Sequence, residues 1–222
     1  MVLGHYGIAL AAKRVAPNTS LGTLILAAQW LDELWPIFLL FGVERVKIVP
    51  GLMPANALDF VSYPYSHSLL ASIVWGFLVG GIYYAARRNR SAAIIVGLLV
   101  VSHWALDFPM HRADLPLWPG SSPKVGLGAW RSIPLSIAIE VVVLAWGLTV
   151  YLRTTRARDR VGTWALWGMI ALLVGAYFST LFGAPPPNER FLAQFALTIW
   201  LFVPWGYWID RHREARKVDG SV

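Results

Sequence analysis

The stretch SAAIIVGLLVVSHWALDFPMHR, residues 91–112, decides the fold. It is apolar for about 20 residues, the helical length that crosses the roughly 30 Å hydrocarbon core of a bilayer. Within this run His103, Asp107 and His111 recur every fourth residue, so a helix places them on one face. Pro109 removes a backbone donor and ends or bends the helix near there. His111 is therefore expected where the chain leaves the membrane, either as a further ligand beside the His103–Asp107 pair or as a group facing substrate.

Outward from this run, the chain is 57% hydrophobic and only 14% charged, with 12 tryptophans, which sets it apart from a soluble domain. Further apolar stretches begin near Leu21, Leu69, Ile133 and Thr163, and another runs from Phe191 to Trp208. The expected fold is all-α: one polytopic transmembrane bundle over residues 1–210, with about six spanning helices. The opening MVLGHYGIALAA is too short to span and has no basic segment ahead of it, so it reads as a short helix packed inside the bundle and not as a signal peptide. Tryptophans 35, 118, 130, 205 and 208 stand near span ends, as interfacial anchors do.

The net charge of +7 resides in AARRNR (85–90), RTTRARDR (153–160) and DRHREARK (210–217), each just beyond an apolar span. That placement is the positive-inside pattern of a membrane protein and argues against nucleic acid as a partner. It puts Lys13, Arg14 and a basic tail over 211–222 in the cytoplasm, and residues 42–65, 112–131 and 183–190 outside. The absence of cysteine excludes disulfides and thiolate chemistry.

Ionisable side chains inside a membrane bundle are costly and point to function. Those here are His5, Asp32, Glu33, His67, His103, Asp107, His111 and Glu140. The turn APNTS, residues 16–20, separates His5 from Asp32, and counting at about 1.5 Å per residue puts both about 20 Å above that turn. His67, His103 and Asp107 reach a similar depth on the next two spans. Ser66 is expected to cap the second span, with His67 in its first turn. Asp59, Asp114 and Glu189 lie in loops, where solvation accounts for them, and His212 belongs to the basic tail. Only one of Asp32 and Glu33 can face the interior.

Imidazole with carboxylate suits zinc first, and also manganese or iron. The expected metal ligands are His5, Asp32, His67, His103 and Asp107, with Asp107, His111 and Glu140 as groups for catalysis. If more than five ligands converge, two ions about 3.5–4 Å apart become feasible, an arrangement common in phosphate ester hydrolysis. Arg112, Lys124 and Arg131, in a loop rich in glycine and tryptophan, offer cations to a phosphate, although a surface anchor would carry the same residues.

GHYGIAL near the start, Asp32 in the first span, YSHSLL at 65–70 and SHWALDFPMHRADLPLWP at 102–119 together resemble the bacterial inner-membrane metal-dependent hydrolases of the YdjM type. The resemblance covers roughly the first half of the chain. Its early Gly-His falls on Gly4 and His5, its Thr-His-Ser on Ser66, His67 and Ser68, its Ser-His and Asp on Ser102, His103 and Asp107, and its Leu-Trp-Pro on Leu117, Trp118 and Pro119. Two positions depart. Ser62 stands where the family carries a first histidine, and WLDELWP replaces the usual acidic motif. The site then has one ligand fewer, or His111 supplies the missing imidazole. A more distant similarity is to zinc-dependent phospholipase C, whose His-Xaa3-Asp pair also lies on a helix.

The resemblance implies a multi-pass protein of the bacterial inner membrane that hydrolyses its substrate with a divalent metal. The expected reaction is cleavage of a phosphate ester on a membrane lipid or other amphiphile, at a site facing the extracytoplasmic side, with the C-terminus in the cytoplasm. The competing reading is non-catalytic: haem held between spans, or a path for a metal ion or proton. Clustering of the ionisable groups on one side, with no comparable set below, favours the enzyme.

Overall fold

The computed structural model describes residues 1–216. The short helix α1 (Leu3–Ala12) leads into α2 (Leu21–Leu40), and a hairpin of β1 (Arg45–Met53) and β2 (Asn56–Ser62) follows, then the single turn α3 (Pro64–His67). Next come α4 (Leu69–Arg87) and α5 (Arg90–Met110), a two-residue ladder of β3 (Leu115–Pro116) and β4 (Lys124–Val125), and α6 (Ile133–Thr154). The strand β5 (Thr155–Ala157) precedes α7 (Arg160–Phe182), and α8 (Glu189–Ala196), a 3-10 segment (Leu197–Leu201) and α9 (Phe202–Arg211) close the bundle, with β6 (Arg213–Ala215) after them.

Among the described residues six helical stretches are long and apolar enough to cross a membrane, and α1 is a shorter apolar helix, as the sequence led one to expect. Their starts are set by side-chain caps that accept the first free amides: Ser20 for α2, Asn89 for α5, Ser132 for α6 and Asp159 for α7. The cap of α4 is Ser68, not Ser66 as the sequence suggested. Ser66 instead lies inside α3, where its hydroxyl is used otherwise. The last span differs too: it enters as the amphipathic α8, capped by Asn188, and passes through 3-10 geometry before α9.

Helices in lipid gain little from the hydrophobic effect between themselves, so close backbone approach at small residues holds them together. Gly76 of α4 meets Gly97 of α5, Gly22 of α2 meets Gly206 of α9, and Gly7 of α1 meets Gly147 of α6. The third seam buries α1 almost completely, with Leu3, Ala9 and Leu10 wholly inside the core formed with α2, α5, α6 and α7. A helix too short to span is thereby fixed in the bundle centre, and with it His5.

The basic segments gather at one end. There β5 pairs with β6, Lys13 meets Asp210 at 2.6 Å, and His212 Nδ1 lies 2.7 Å from Asp159. That hydrogen bond holds the exposed Asp159 carboxyl below its usual range. Of the basic tail expected over 211–222, residues 217–222 lie outside the described residues. The opposite end carries the β1–β2 hairpin and the β3–β4 loop, which cover the mouth of the bundle. Neither hairpin was foreseen.

Candidate metal centre

Four helices bring five of the foreseen residues to one point. His5 comes from α1, Asp32 from α2, His67 from α3, and His103 with Asp107 from α5. Two sets of ligand atoms lie within 4.8 Å of one another, His5 with His103 and Asp107, and Asp32 with His67 and His103. His103 belongs to both. Its Nε2 is 3.4 Å from Asp107 and 3.7 Å from Asp32, and His67 Nε2 is 3.3 Å from Asp32. His5 Nε2 stands 3.3 Å from Asp107, whose Oδ1 also receives the Met1 amine. Asp32 keeps a quarter of its side chain exposed, while His5, His103 and Asp107 are buried. The centre is thus reached past Asp32.

The outward nitrogens of three imidazoles are each tied down, which fixes the tautomer. His103 Nδ1 is 2.8 Å from the Ala28 carbonyl, which can only accept, so the proton sits on Nδ1 and the Nε2 lone pair faces the cluster. His67 Nδ1 is 2.7 Å from Ser66 Oγ, which donates in turn to Glu44 at 2.6 Å, leaving His67 Nε2 free in the same way. The other Glu44 oxygen accepts the amides of Tyr65 and Ser66. Burial pushes the Glu44 carboxyl up, and the Ser66 and Tyr65 bonds oppose that. His111 Nδ1 donates to Asp114 at 2.9 Å, which aims Nε2 at Asp107, 3.9 Å away. Burial draws His111 below its ordinary value, so the ring is neutral and its lone pair available.

Both ring nitrogens of His5 and the Nε2 of His103 are buried without a hydrogen-bond partner. Orphaned buried nitrogens are costly. Nitrogen and oxygen donors converging this way fit a divalent cation, which would satisfy those nitrogens and offset the charge of Asp32 and Asp107.

The remaining foreseen residues are placed as follows. Asp32 turns to the cluster and Glu33 away from it, its carboxylate buried and unpartnered. Glu140 is buried, with its oxygens 2.7 Å from the Val2 amide and 2.9 Å from the Gly4 amide, so it caps the free amides opening α1. Arg112, Lys124 and Arg131 line a cavity on the outer side of His111. Ser62 ends β2, and the imidazole nearest the cluster from that end of the molecule is His111.

Two residues escaped sequence reasoning. Glu44 reads as an unremarkable loop acid beside Arg45, and Asp114 as a solvated one, yet both are buried, Asp114 directly on the outward nitrogen of His111 and Glu44 on that of His67 through the Ser66 hydroxyl. The i,i+3 spacing of His111 and Asp114 was the available signal for the second. Nothing local marks Glu44, whose partner lies 22 positions away.

The family model described as YdjM inner membrane protein matches residues 2–183, well past the half of the chain that carries the motifs. No curated protein and no solved structure matches the chain.

Proposed function

Because the chain belongs to the YdjM inner membrane protein family, we propose that it is a metal-dependent hydrolase that cleaves a phosphate ester of a lipid or amphiphile at the extracytoplasmic face of the membrane. The observation that carries this reading is the convergence of imidazole Nε2 atoms and two carboxylates in one buried cluster, with three of the rings held by acceptors behind them.

His5, His103 and Asp107 would hold one ion, and Asp32 and His67 the same ion or a second, since the single free Nε2 lone pair of His103 serves one ion only. Zinc suits this donor set best, followed by manganese or iron. A divalent ion there supplies Lewis acidity to the ester oxygens and acidifies water enough to give a nucleophile at neutral pH. Asp107 lies within reach of the rings of His5, His103, His67 and His111, and serves to hold a proton or orient the attacking water. His111, whose Nε2 faces Asp107 while its Nδ1 is held by Asp114, would take the proton given up by the attacking water and return it to the leaving oxygen of the ester. Glu140 acts by fixing the first turn of α1, and so the depth of His5. Lys124 and Arg131 receive the charged part of the substrate, and Arg112, tied to Asp59 and Asp114, shapes the cavity beside them. The rings of His5 and His103 stack with centroids 3.6 Å apart, too close for a macrocycle to lie between them, which disfavours haem.

The basic end of the bundle corresponds to the cytoplasmic side under the positive-inside rule, so the hairpin end and the cluster face outward. Right-side-out membrane vesicles bearing the protein are expected to release phosphate from externally added phosphorylated lipids in a metal-dependent way, and Asp107→Asn vesicles are not. Hydrolysis confined to inverted vesicles would reverse the orientation. Metal-replete protein that cleaves neither mono- nor diester phospholipids would contradict the substrate class.

The chain Glu44, Ser66, His67 gives a separate expectation. Removing an outer partner of a metal-bound histidine costs about 10–100-fold in metal affinity. Ser66→Ala should weaken zinc binding by that factor in competition with a chelating dye, without loss of folded protein. Unchanged affinity would mean that His67 does not bind through Nε2.

A further inference from the structure

Beside the cluster, at the hairpin end, lies a cavity of about 530 Å³ lined by Lys47, Asp59, Phe60, Arg112, Asp114, Lys124 and Arg131 among others. None of the cluster residues lines it. Phe60 and Asp114 form the partition: the Phe60 ring lies 4.8 Å from that of His111, and Asp114 holds His111 Nδ1. The cavity and the cluster are therefore one imidazole apart.

Its cations are set by separate elements. Lys47 is on β1, paired across to Asp59 of β2; Arg112 follows α5; Lys124 is on β4, paired to Pro116; and Arg131 ends the short 3-10 helix Ala129–Arg131. Arg112 is neutralised, 2.5 Å from Asp59 and 3.1 Å from Asp114. Lys47, Lys124 and Arg131 have no carboxylate within salt-bridge distance among the described residues, and all three line this one cavity. Three cations held by a folded rim around one cavity, with no carboxylate of their own, make an anion site. Its volume falls in the range of sites for small organic ligands, about 300–1,000 Å³.

We propose that this cavity binds a second, non-reacting phosphate-bearing group on the polar head of the substrate, one imidazole away from the ester cleaved at the cluster. The proposal rests on the hydrolase reading and narrows it to amphiphiles with two separated anionic groups. Lys47, which sequence reasoning did not single out, becomes a specificity residue.

Inorganic pyrophosphate is the probe, titrated calorimetrically at low ionic strength into the full chain in neutral detergent. Because pyrophosphate also binds metals, His103→Ala protein stripped of metal is titrated beside wild type. Binding near one per chain in both, weakened more than about 10-fold in Lys47→Gln/Lys124→Gln/Arg131→Gln with its metal content unchanged, is the expected result. Should the triple variant not fold, Lys124→Gln alone, an exposed side chain, should weaken binding by up to about 5-fold. Short-chain phosphatidate should displace the probe where short-chain phosphatidylcholine does not. Failure of phosphatidate to compete would assign the site to a soluble anion and overturn the head-group assignment. Binding absent from wild type, or lost in His103→Ala and kept in the triple variant, would overturn the site itself. A failure of phospholipid hydrolysis with these binding results intact would instead overturn only the hydrolase reading.

Discussion

Protein purified with Asp107→Ala is expected to carry almost no metal, and His103→Ala the same, where wild type holds near-stoichiometric zinc, manganese or iron by mass spectrometry. The magnitude follows from their positions. His103 belongs to both ligand sets, and Asp107 lies within 4 Å of the rings of His5, His67, His103 and His111. Loss of either should exceed the roughly 10–100-fold effect of an outer-shell change. Asp107→Asn keeps the volume and a neutral oxygen, so a fall in that variant as well would come from lost charge and not from a collapsed cavity. If both alanine variants retain wild-type metal, the pair is a packing couple, and the hydrolase reading fails with it.

The second large effect concerns α1. Gly147→Val should abolish folded protein or lower its thermal midpoint steeply, read by size-exclusion chromatography and a melting assay. A Cβ at Gly147 would run into the backbone of Gly7, and one at Gly7 into Val143 and Leu144 of α6. Such overpacking typically costs about 1–3 kcal/mol where side chains can shift, and a backbone contact cannot shift without moving α1. His5 rides on that helix, so any folded fraction should also bind metal more weakly. Gly175→Ala is the control: nothing lies within 4 Å of an added Cβ there. Replacing glycine in a helix interior stabilises by about 0.5–1 kcal/mol, and no loss is expected. Equal behaviour of the two variants would contradict the tight α1–α6 seam.

The spans were legible because lipid imposes a length and an apolar composition that few other contexts demand. Even α1 could be read, since an apolar run of that length can be satisfied only by burial. The convergence of His5, Asp32, His67, His103 and Asp107 was legible in part from depth counting, which works when helices run side by side. Asp32 was the expected ligand of its pair and does face the cluster, but the sequence holds no ground for choosing it over Glu33, because adjacent residues on a helix differ by about 100° and only tertiary packing fixes the rotation. The β1–β2 hairpin and the β3–β4 ladder were hidden for another reason. Strand pairing in a loop depends on partners across the chain, and VERVKIVPGLMP has two prolines and a glycine that interrupt any alternation. Glu44 and Ser66 fell with it: a residue in a loop and a serine beside a histidine become an orienting pair only once that hairpin returns the chain onto α3.

The most direct test of the buried cluster as a metal centre is an anomalous difference map from crystals of the protein grown with zinc or manganese, collected above the absorption edge of the metal. One or two peaks are expected among the Nε2 atoms of His5, His67 and His103 and the carboxylates of Asp32 and Asp107, and none at that point in Asp107→Ala crystals. A map without a peak there, or with peaks only at surface histidines and carboxylates, would contradict the account.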